Sequence, residues 1–173
     1  NSIEQVHEHR LLGITIDDQL KWQAHTNNLC KTISKNLFML SKLRRLIDVD
    51  SRRLFYDAHI RSHLSYASTV WDCCSDVHLK RLNSLQRRAA KLILPDPNLT
   101  TDEKLKQTGL LSLQKQLQQN RGVFMFKIWN QQTPGYLFEM FRPSMSQYGV
   151  SNMLFTVPRP RIALSKSSRS FQW

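Results

Sequence analysis

Residues 79–94, LKRLNSLQRRAAKLIL, are the stretch that decides the fold class. On a helical wheel its apolar residues share an arc of about 140°, and its basic residues fill the other side. This pattern predicts a helix with one side in a core and a positively charged side in solvent, beginning at Ser75 or Asp76 and stopped by Pro95. The inward residues are Leu79, Leu82, Leu85, Ala89, Leu92 and Ile93, and the outward ones are Lys80, Arg81, Arg87, Arg88 and Lys91.

The segment upstream has the same two-sided organisation. From Trp22 to about Ile47 the apolar residues share an arc of about 120°, which predicts a long amphipathic helix. Phe38 stands on its charged side, although an aromatic residue there more often packs on a neighbouring element. The cations of that side are Lys31, Lys35, Lys42 and Arg45.

The remaining patterns are shorter. Alternation of Leu12, Ile14 and Ile16 predicts a half-buried strand over residues 10–16, followed by a turn at Asp17 and Asp18. Further helices are predicted from Asp50 or Ser51 to about Asp72, from Thr100 or Thr101 to Gln107, from Ser112 to about Gln131, and over residues 136–141. The fold class is therefore mainly α: a helical bundle with a short N-terminal β element and an extended, partly disordered basic C-terminal tail.

Composition narrows the possible partners. The 173 residues include 25 Lys and Arg against 13 Asp and Glu, a formal net charge of +12, which attracts polyanions. Since 40% of the residues are hydrophobic and only 5 are glycine, a disordered or collagen-like chain is excluded. No apolar run approaches the roughly 20 residues that span a bilayer. We therefore expect no membrane partner and an intracellular location, nuclear or cytoplasmic.

No pattern of metal-binding or nucleophilic residues stands out. Cys30, Cys73 and Cys74 are odd in number and badly spaced for zinc, which predicts reduced thiols. His59 and His63 lie four residues apart, but their segment reads HIRSH and lacks the glutamate of HExxH. Nor is there a GxSxG nucleophile elbow or a GxxxxGK phosphate loop. We predict no catalytic residue, no metal site and no cofactor in this chain.

A longer pattern resembles a known family. RLLGITIDDQLKWQAHTNNLCKTISK, RRLFYDAHIRSHLSYASTVWD, LKRLNSLQRRAAKLIL and GLLSLQKQLQQNRGVFMFKIWN with TPGYL after it follow one another in this order. Together they resemble the C-terminal portion of non-LTR (LINE-type) retrotransposon reverse transcriptases, from about residue 10 to residue 141. The matching positions are Leu12, Gly13, Asp17, Leu20, Trp22, Tyr56, Ala58, Leu64, Tyr66, Trp71, Leu82, Gln86, Ala89, Ala90, Pro134 and Tyr136.

The resemblance implies a division of the chain. Residues 1–20 would be the end of a palm with its primer grip at Leu12 and Gly13, and residues 21–94 a thumb-like helical bundle. Residues 95–142 would be connector helices, followed by the basic tail over residues 143–173. The polymerase carboxylates and the Mg²⁺ they bind would belong to a palm upstream, so the chain alone would not be an enzyme.

One segment superficially resembles a polymerase tetrad, and two positions depart from the family pattern. Residues 15–18 read TIDD, which superficially resembles a YxDD polymerase tetrad, but threonine replaces tyrosine and we interpret the segment as a turn. The chain has Ser62 where the family often has a helix-kinking proline. It has Ala67 where glycine often follows the tyrosine. These two departures leave the fine geometry of the second helix open.

The predicted partner is an RNA/DNA template–primer duplex, held by phosphate contacts that carry no sequence preference. The candidate contacts are Lys31, Lys35, Lys42, Arg45, Lys80, Arg81, Arg87, Arg88 and Lys91. The alternative is a retrotransposon-derived protein-interaction or dimerisation module whose basic faces are merely solvated surface. In either case the remainder of the reverse transcriptase or another protein is a possible partner, and so is a second copy.

Overall fold

The computed structural model describes residues 6–141. Two compact units divide the chain, residues 1–120 and residues 121–173. The fold is mainly α, with one two-stranded sheet at the N-terminal end of the described residues, as the sequence predicts. The basic tail predicted over residues 143–173 lies outside the described part, and the subdivision at residues 20, 94 and 142 stays a prediction.

A β-hairpin replaces the single strand predicted over residues 10–16. β1 (Glu8–Leu11) pairs antiparallel with β2 (Ile14–Asp17), and Leu11 lies opposite Ile14. Leu12 and Gly13 have φ of 47° and 84°, the left-handed pair that a two-residue turn requires. Leu12 therefore sits at the turn, 82% exposed, rather than in line with buried Ile14.

The carboxylate of Asp17 connects this hairpin to the first helix. Its Oδ1 accepts a hydrogen bond from the Lys21 amide at 2.9 Å, and its Oδ2 accepts one from the Trp22 amide at 2.7 Å. The chain then enters α1 (Gln23–Leu43), whose N-cap Trp22 provides no side-chain cap of its own. The predicted start near Trp22 is confirmed, whereas the helix ends four residues before Ile47.

The second predicted helix is interrupted. α2 (Val49–Tyr56) continues as a π-helical turn (Asp57–Arg61) and α3 (Ser62–Ser65), and α4 (Ser68–Trp71) follows after a break. Asp48, not Asp50 or Ser51, caps α2, because its carboxylate accepts a hydrogen bond from the Ser51 amide at 2.9 Å.

Two local features explain the interruption. The Ser62 amide donates to the carbonyl of Asp57, five residues back, and this bond closes the π turn. Tyr66 is extended and Ala67 is left-handed, with φ 47° and ψ 29°, so the helix stops between them. The Trp71 indole Nε1 donates to the Tyr66 carbonyl at 3.0 Å and holds the break.

The downstream helices follow the predictions closely. α5 (Asp76–Ile93) and α6 (Thr101–Gln107) are joined by the proline-containing loop, and α6 begins with a capping box between Thr100 and Glu103. α7 (Leu113–Trp129) and α8 (Gly135–Met140) come next. In the second unit the rings of Trp129 and Phe138 lie 6.4 Å apart. None of the helices in residues 6–141 combines the length and apolar character needed to cross a membrane.

The core of the first unit forms where α1, the α2–α3 segment and α5 meet. Gln86 is a fully buried polar side chain in this core, and its Nε2 donates to Tyr56 Oη at 3.0 Å and to the Leu111 carbonyl at 2.9 Å. Burial raises the pKa of Tyr56. The fully buried apolar side chains of this core are Ile33, Leu37, Leu40, Ile60, Leu64, Trp71, Leu82, Ala89, Ala90 and Ile93.

Ala67→Gly should stabilise the protein. A non-glycine residue in the left-handed region costs about 1–2 kcal/mol, and the lost methyl contact and the freer unfolded chain offset part of the gain. We expect the free energy of unfolding in urea to rise by about 0.5–1 kcal/mol. Ala58→Gly is the control. Ala58 has no positive φ, so the free energy of unfolding should fall there by about 0.5–1 kcal/mol. A loss at both positions would contradict the assignment.

Buried His25 should make stability fall in mild acid. Its Nδ1 accepts a hydrogen bond from the Thr15 amide at 3.4 Å, its ring lies 5.9 Å from Trp71, and burial lowers its pKa below 6.5. The unfolded chain therefore takes up a proton first, and stability present above pH 6.5 is lost as pH falls through the window below it. His25→Asn should remove this component, measured by urea unfolding at several pH values.

His7 provides the control of opposite sign. The bond with the Asp18 carboxylate raises its pKa, so this pair adds stability in acid that is lost as pH rises through the raised pKa. His7→Asn should therefore steepen the acid loss that His25→Asn flattens. The same change of slope in both variants would refute the assignment.

Candidate nucleic-acid interface

The outward side of α5 forms a shallow basic groove. Lys80, Ser84, Arg87 and Lys91 follow one another at intervals of four, three and four residues, which aligns them along one side of the helix. The depression beside them has a volume of about 320 Å³. Its six lining residues, called the α5 groove below, are Lys80, Asn83, Ser84, Arg87, Arg88 and Lys91. Four cations and two neutral hydrogen-bonding side chains suit a row of phosphate groups.

One cation of the α5 groove is tethered. Arg87 Nη1 lies 2.8 Å from the carboxylate of Asp102, a residue in the first turn of α6. Both side chains are solvent-accessible, so water screens the pair and a phosphate competes with the carboxylate for the guanidinium. Among the nine predicted contacts, Arg87 is the one with an ion pair to another residue of the described range.

Arg81 is not among the residues that line the α5 groove. Its Nη1 donates to Asn27 Oδ1 at 2.7 Å, which joins α5 to α1. Burial raises the pKa of the Cys30 thiol, and the positive charge of the Arg81 guanidinium partly offsets this rise. Of the three cysteines, Cys30 and Cys74 are buried and Cys73 is exposed.

The cations of α1 form a second stripe. Lys31, Lys35 and Lys42 are exposed, and Phe38 lies in line with them. Phe38 is 61% exposed among the described residues, and the Lys42 Nζ lies 5.4 Å from the centre of its ring. Arg45 is exposed but follows the end of α1.

The two stripes lie on different helices. α1 and α5 turn their buried sides towards the same core, and their basic residues lie on the sides away from it. The structure groups Lys80, Arg87, Arg88 and Lys91 at the α5 groove, and Lys31, Lys35 and Lys42 lie along one side of α1.

Leu12 and Gly13, the predicted primer-grip positions, form the tip of the β-hairpin. The Tyr66 hydroxyl donates to the Leu12 carbonyl at 2.7 Å and anchors the tip to the break between α3 and α4. Leu11 and Leu12 at this tip, Tyr66 beside it and Leu20 after β2 are exposed apolar side chains.

The residues that sequence reasoning missed are polar neighbours of the predicted cations. Asn83 and Ser84 belong to the α5 groove, and the helical spacing from Lys80 was a signal that places them there. Asp102 and Asn27 tether Arg87 and Arg81 from other helices. No local pattern reveals those two contacts, because they join residues 15 and 54 positions apart.

Several acidic and imidazole side chains of the described residues have structural partners. Asp17 accepts backbone amides, Asp18 pairs with His7, and the rings of His59 and Phe55 lie 4.5 Å apart. Within residues 6–141, no three His, Cys, Asp or Glu side chains form a cluster that would hold a metal ion. The TIDD segment is thus a strand end and a turn.

Comparison with known proteins gives one distant similarity. The chain is 23% identical, over 95 residues, to a probable RNA-directed DNA polymerase from transposon X-element of Drosophila melanogaster. The aligned part is 53% of this chain and 10% of the length of the polymerase. No family model matches the chain. No solved structure matches it either.

Proposed function

We propose that this chain is a thumb-and-connector segment of a LINE-type reverse transcriptase that holds the template–primer duplex through nonspecific phosphate contacts. The α5 groove is the observation that carries the proposal. The partial similarity to an RNA-directed DNA polymerase and the net charge of +12 support it. The order of sequence patterns from the hairpin to α8 supports the same assignment.

The α5 groove would act by neutralising charge. Exposed Lys80, Arg88 and Lys91 replace the counterions of neighbouring phosphates, and their release into solution drives binding. Asn83 and Ser84 would add neutral hydrogen bonds to phosphate oxygens. Since these groups contact no base edge, the affinity would depend on salt rather than on sequence.

The chemistry would take place elsewhere in the polymerase. We place the catalytic carboxylates and their Mg²⁺ on a palm outside this chain, and the hairpin tip at Leu12 and Gly13 beside the primer end. In this arrangement the chain would position the duplex and slow its dissociation. The palm would carry out the proton and phosphoryl transfers.

One observation favours the second candidate, a protein-interaction module. Leu11, Leu12 and Leu20 expose more than half of their surface at the hairpin. Such apolar side chains suit a protein partner better than a phosphate. Affinity for a protein together with indifference to duplex would select this candidate.

Charge reversal in the α5 groove should weaken duplex binding. For the double variant Arg88→Glu, Lys91→Glu we expect an affinity loss of about tenfold or more for an RNA/DNA hybrid at low salt. The slope of log affinity against log salt should shrink by about 2, since each lost phosphate contact removes about 0.9. Fluorescence anisotropy with a labelled hybrid measures both quantities.

Two controls separate the groove from net charge. Lys106→Glu, Lys115→Glu makes the same charge change at exposed residues outside the groove, and an equal loss there would contradict the proposal. Asp102→Asn should tighten binding several-fold, because it frees Arg87 and keeps the Thr100–Glu103 capping box. Asp50→Asn, an exposed carboxylate on α2, should have a smaller effect.

The chain alone should not extend a primer. With a template–primer duplex, Mg²⁺ and all four nucleotides, we expect no incorporation on a sequencing gel, because the proposed catalytic carboxylates lie outside the chain. An intact reverse transcriptase on the same substrate is the positive control. Robust incorporation that survives repurification of the chain would overturn this part of the proposal.

A further inference from the structure

The outer side of α1 has a composition unlike that of an ordinary solvated helix. Its 21 residues, QAHTNNLCKTISKNLFMLSKL, contain no Asp or Glu. Exposed helices commonly balance their cations with carboxylates four residues away, and α1 has none to do so. Lys31, Lys35 and Lys42 therefore present unbalanced positive charge along about three turns of helix.

An aromatic ring lies in the middle of this charge. Phe38 follows Lys35 by three residues and precedes Lys42 by four, so all three share one side of α1. The packing of α1 does not need the ring, because Ile33, Leu37 and Leu40 fill the core from the opposite side. A largely exposed Phe between lysines has the arrangement of sites where a base stacks while its phosphates pair with cations.

We propose that the outer side of α1 binds a single-stranded nucleic acid, with a base stacked on Phe38 and the flanking phosphates paired with Lys35 and Lys42. Lys31 extends the same track by one helical turn. This site shares no residue with the α5 groove, so it goes beyond the duplex binding proposed above. It would hold an unpaired stretch of template or primer.

In the proposed complex, a base would displace the Lys42 ammonium from the face of the Phe38 ring. In the free chain its ammonium lies 5.4 Å from the centre of the Phe38 ring, a weak cation–π contact at an exposed position. A stacking base would take this face, since base–aromatic stacking is the stronger interaction. The displaced ammonium remains within reach of the phosphate beside that base.

A single strand fits this surface better than a duplex, a membrane or an acidic peptide. The base faces of a duplex are stacked on one another, so a side chain on a rigid helix cannot reach them. A membrane-surface helix buries a broad apolar side in lipid, but the apolar side of α1 is already in the core. An acidic peptide would use the lysines and would leave Phe38 without a role.

The test uses Phe38→Ala in the full 173-residue chain. The probe is a labelled oligo(dT) of about a dozen nucleotides, a length typical of single-strand sites, beside a duplex of equal length. We expect the affinity for oligo(dT) to fall about tenfold and the affinity for the duplex to stay unchanged. Phe38→Trp should retain or improve single-strand binding, because indole offers a larger stacking surface.

Three controls make the result specific. Leu46→Ala truncates an apolar side chain that is 81% exposed just beyond α1, and it should change neither affinity. An abasic strand of the same length keeps the phosphates and removes the bases, so wild type and Phe38→Ala should bind it equally. Circular dichroism and urea unfolding establish that the variants fold, as the exposure of Phe38 leads us to expect.

The outcomes separate this site from the α5 groove. Unchanged oligo(dT) affinity in Phe38→Ala, or an equal loss on the abasic strand, would overturn the proposal. Polyglutamate that competes with oligo(dT) and depends equally on Phe38 would favour an acidic protein partner instead. If Arg88→Glu, Lys91→Glu leaves duplex binding intact while Phe38→Ala still weakens oligo(dT) binding, the α5 proposal fails and this one stands.

Discussion

The buried carboxamide of Gln86 is the contact on which the arrangement of the helices depends. Its two Nε2 hydrogens reach the Tyr56 hydroxyl on α2 and the Leu111 carbonyl before α7, so one side chain joins three parts of the first unit. Leaving the buried Tyr56 hydroxyl unpaired would cost about 1–3 kcal/mol. Because Gln86 must face inward, α5 cannot rotate about its axis, and Lys80, Arg88 and Lys91 are fixed on the outside.

The same logic gives the two basic stripes different characters. On α5 the cations line a groove with neutral donors and one competing carboxylate, Asp102, which suits phosphates alone. On α1 the cations flank an exposed ring and have no acidic residue in their own helix. Under the two proposals, α5 would contact a nucleic-acid backbone, and α1 would contact a backbone together with a base.

The period of the apolar residues was sufficient to predict the helices, because burial of one side is a property of each segment. It failed where the backbone departs from regular geometry. Leu12 fits a strand pattern but adopts a positive φ in a turn, and Ala67 gives no local sign of the left-handed conformation that ends α3.

The sequence predicted the positions of the cations on α5 but not their neighbours from other elements. The helical pattern predicted one outward side of α5 with five cations, and four of them line the α5 groove: Lys80, Arg87, Arg88 and Lys91. It did not reveal that Asp102 holds Arg87 or that Phe38 remains exposed, since both facts depend on distant elements. The roles of all nine cations in binding remain predictions.

The charge of the stripes connects binding with stability. Lysines and arginines three or four residues apart on one helix repel each other by about 0.2–0.5 kcal/mol per pair, so neither stripe helps the fold. The bundle is stabilised instead by its apolar core and by Gln86. A polyanion that neutralises the stripes would remove this repulsion, and because it favours the folded chain, the unfolding equilibrium would shift with its concentration. Under the two proposals, a bound nucleic acid would therefore stabilise α1 and α5 by removing the repulsion between their lysines and arginines.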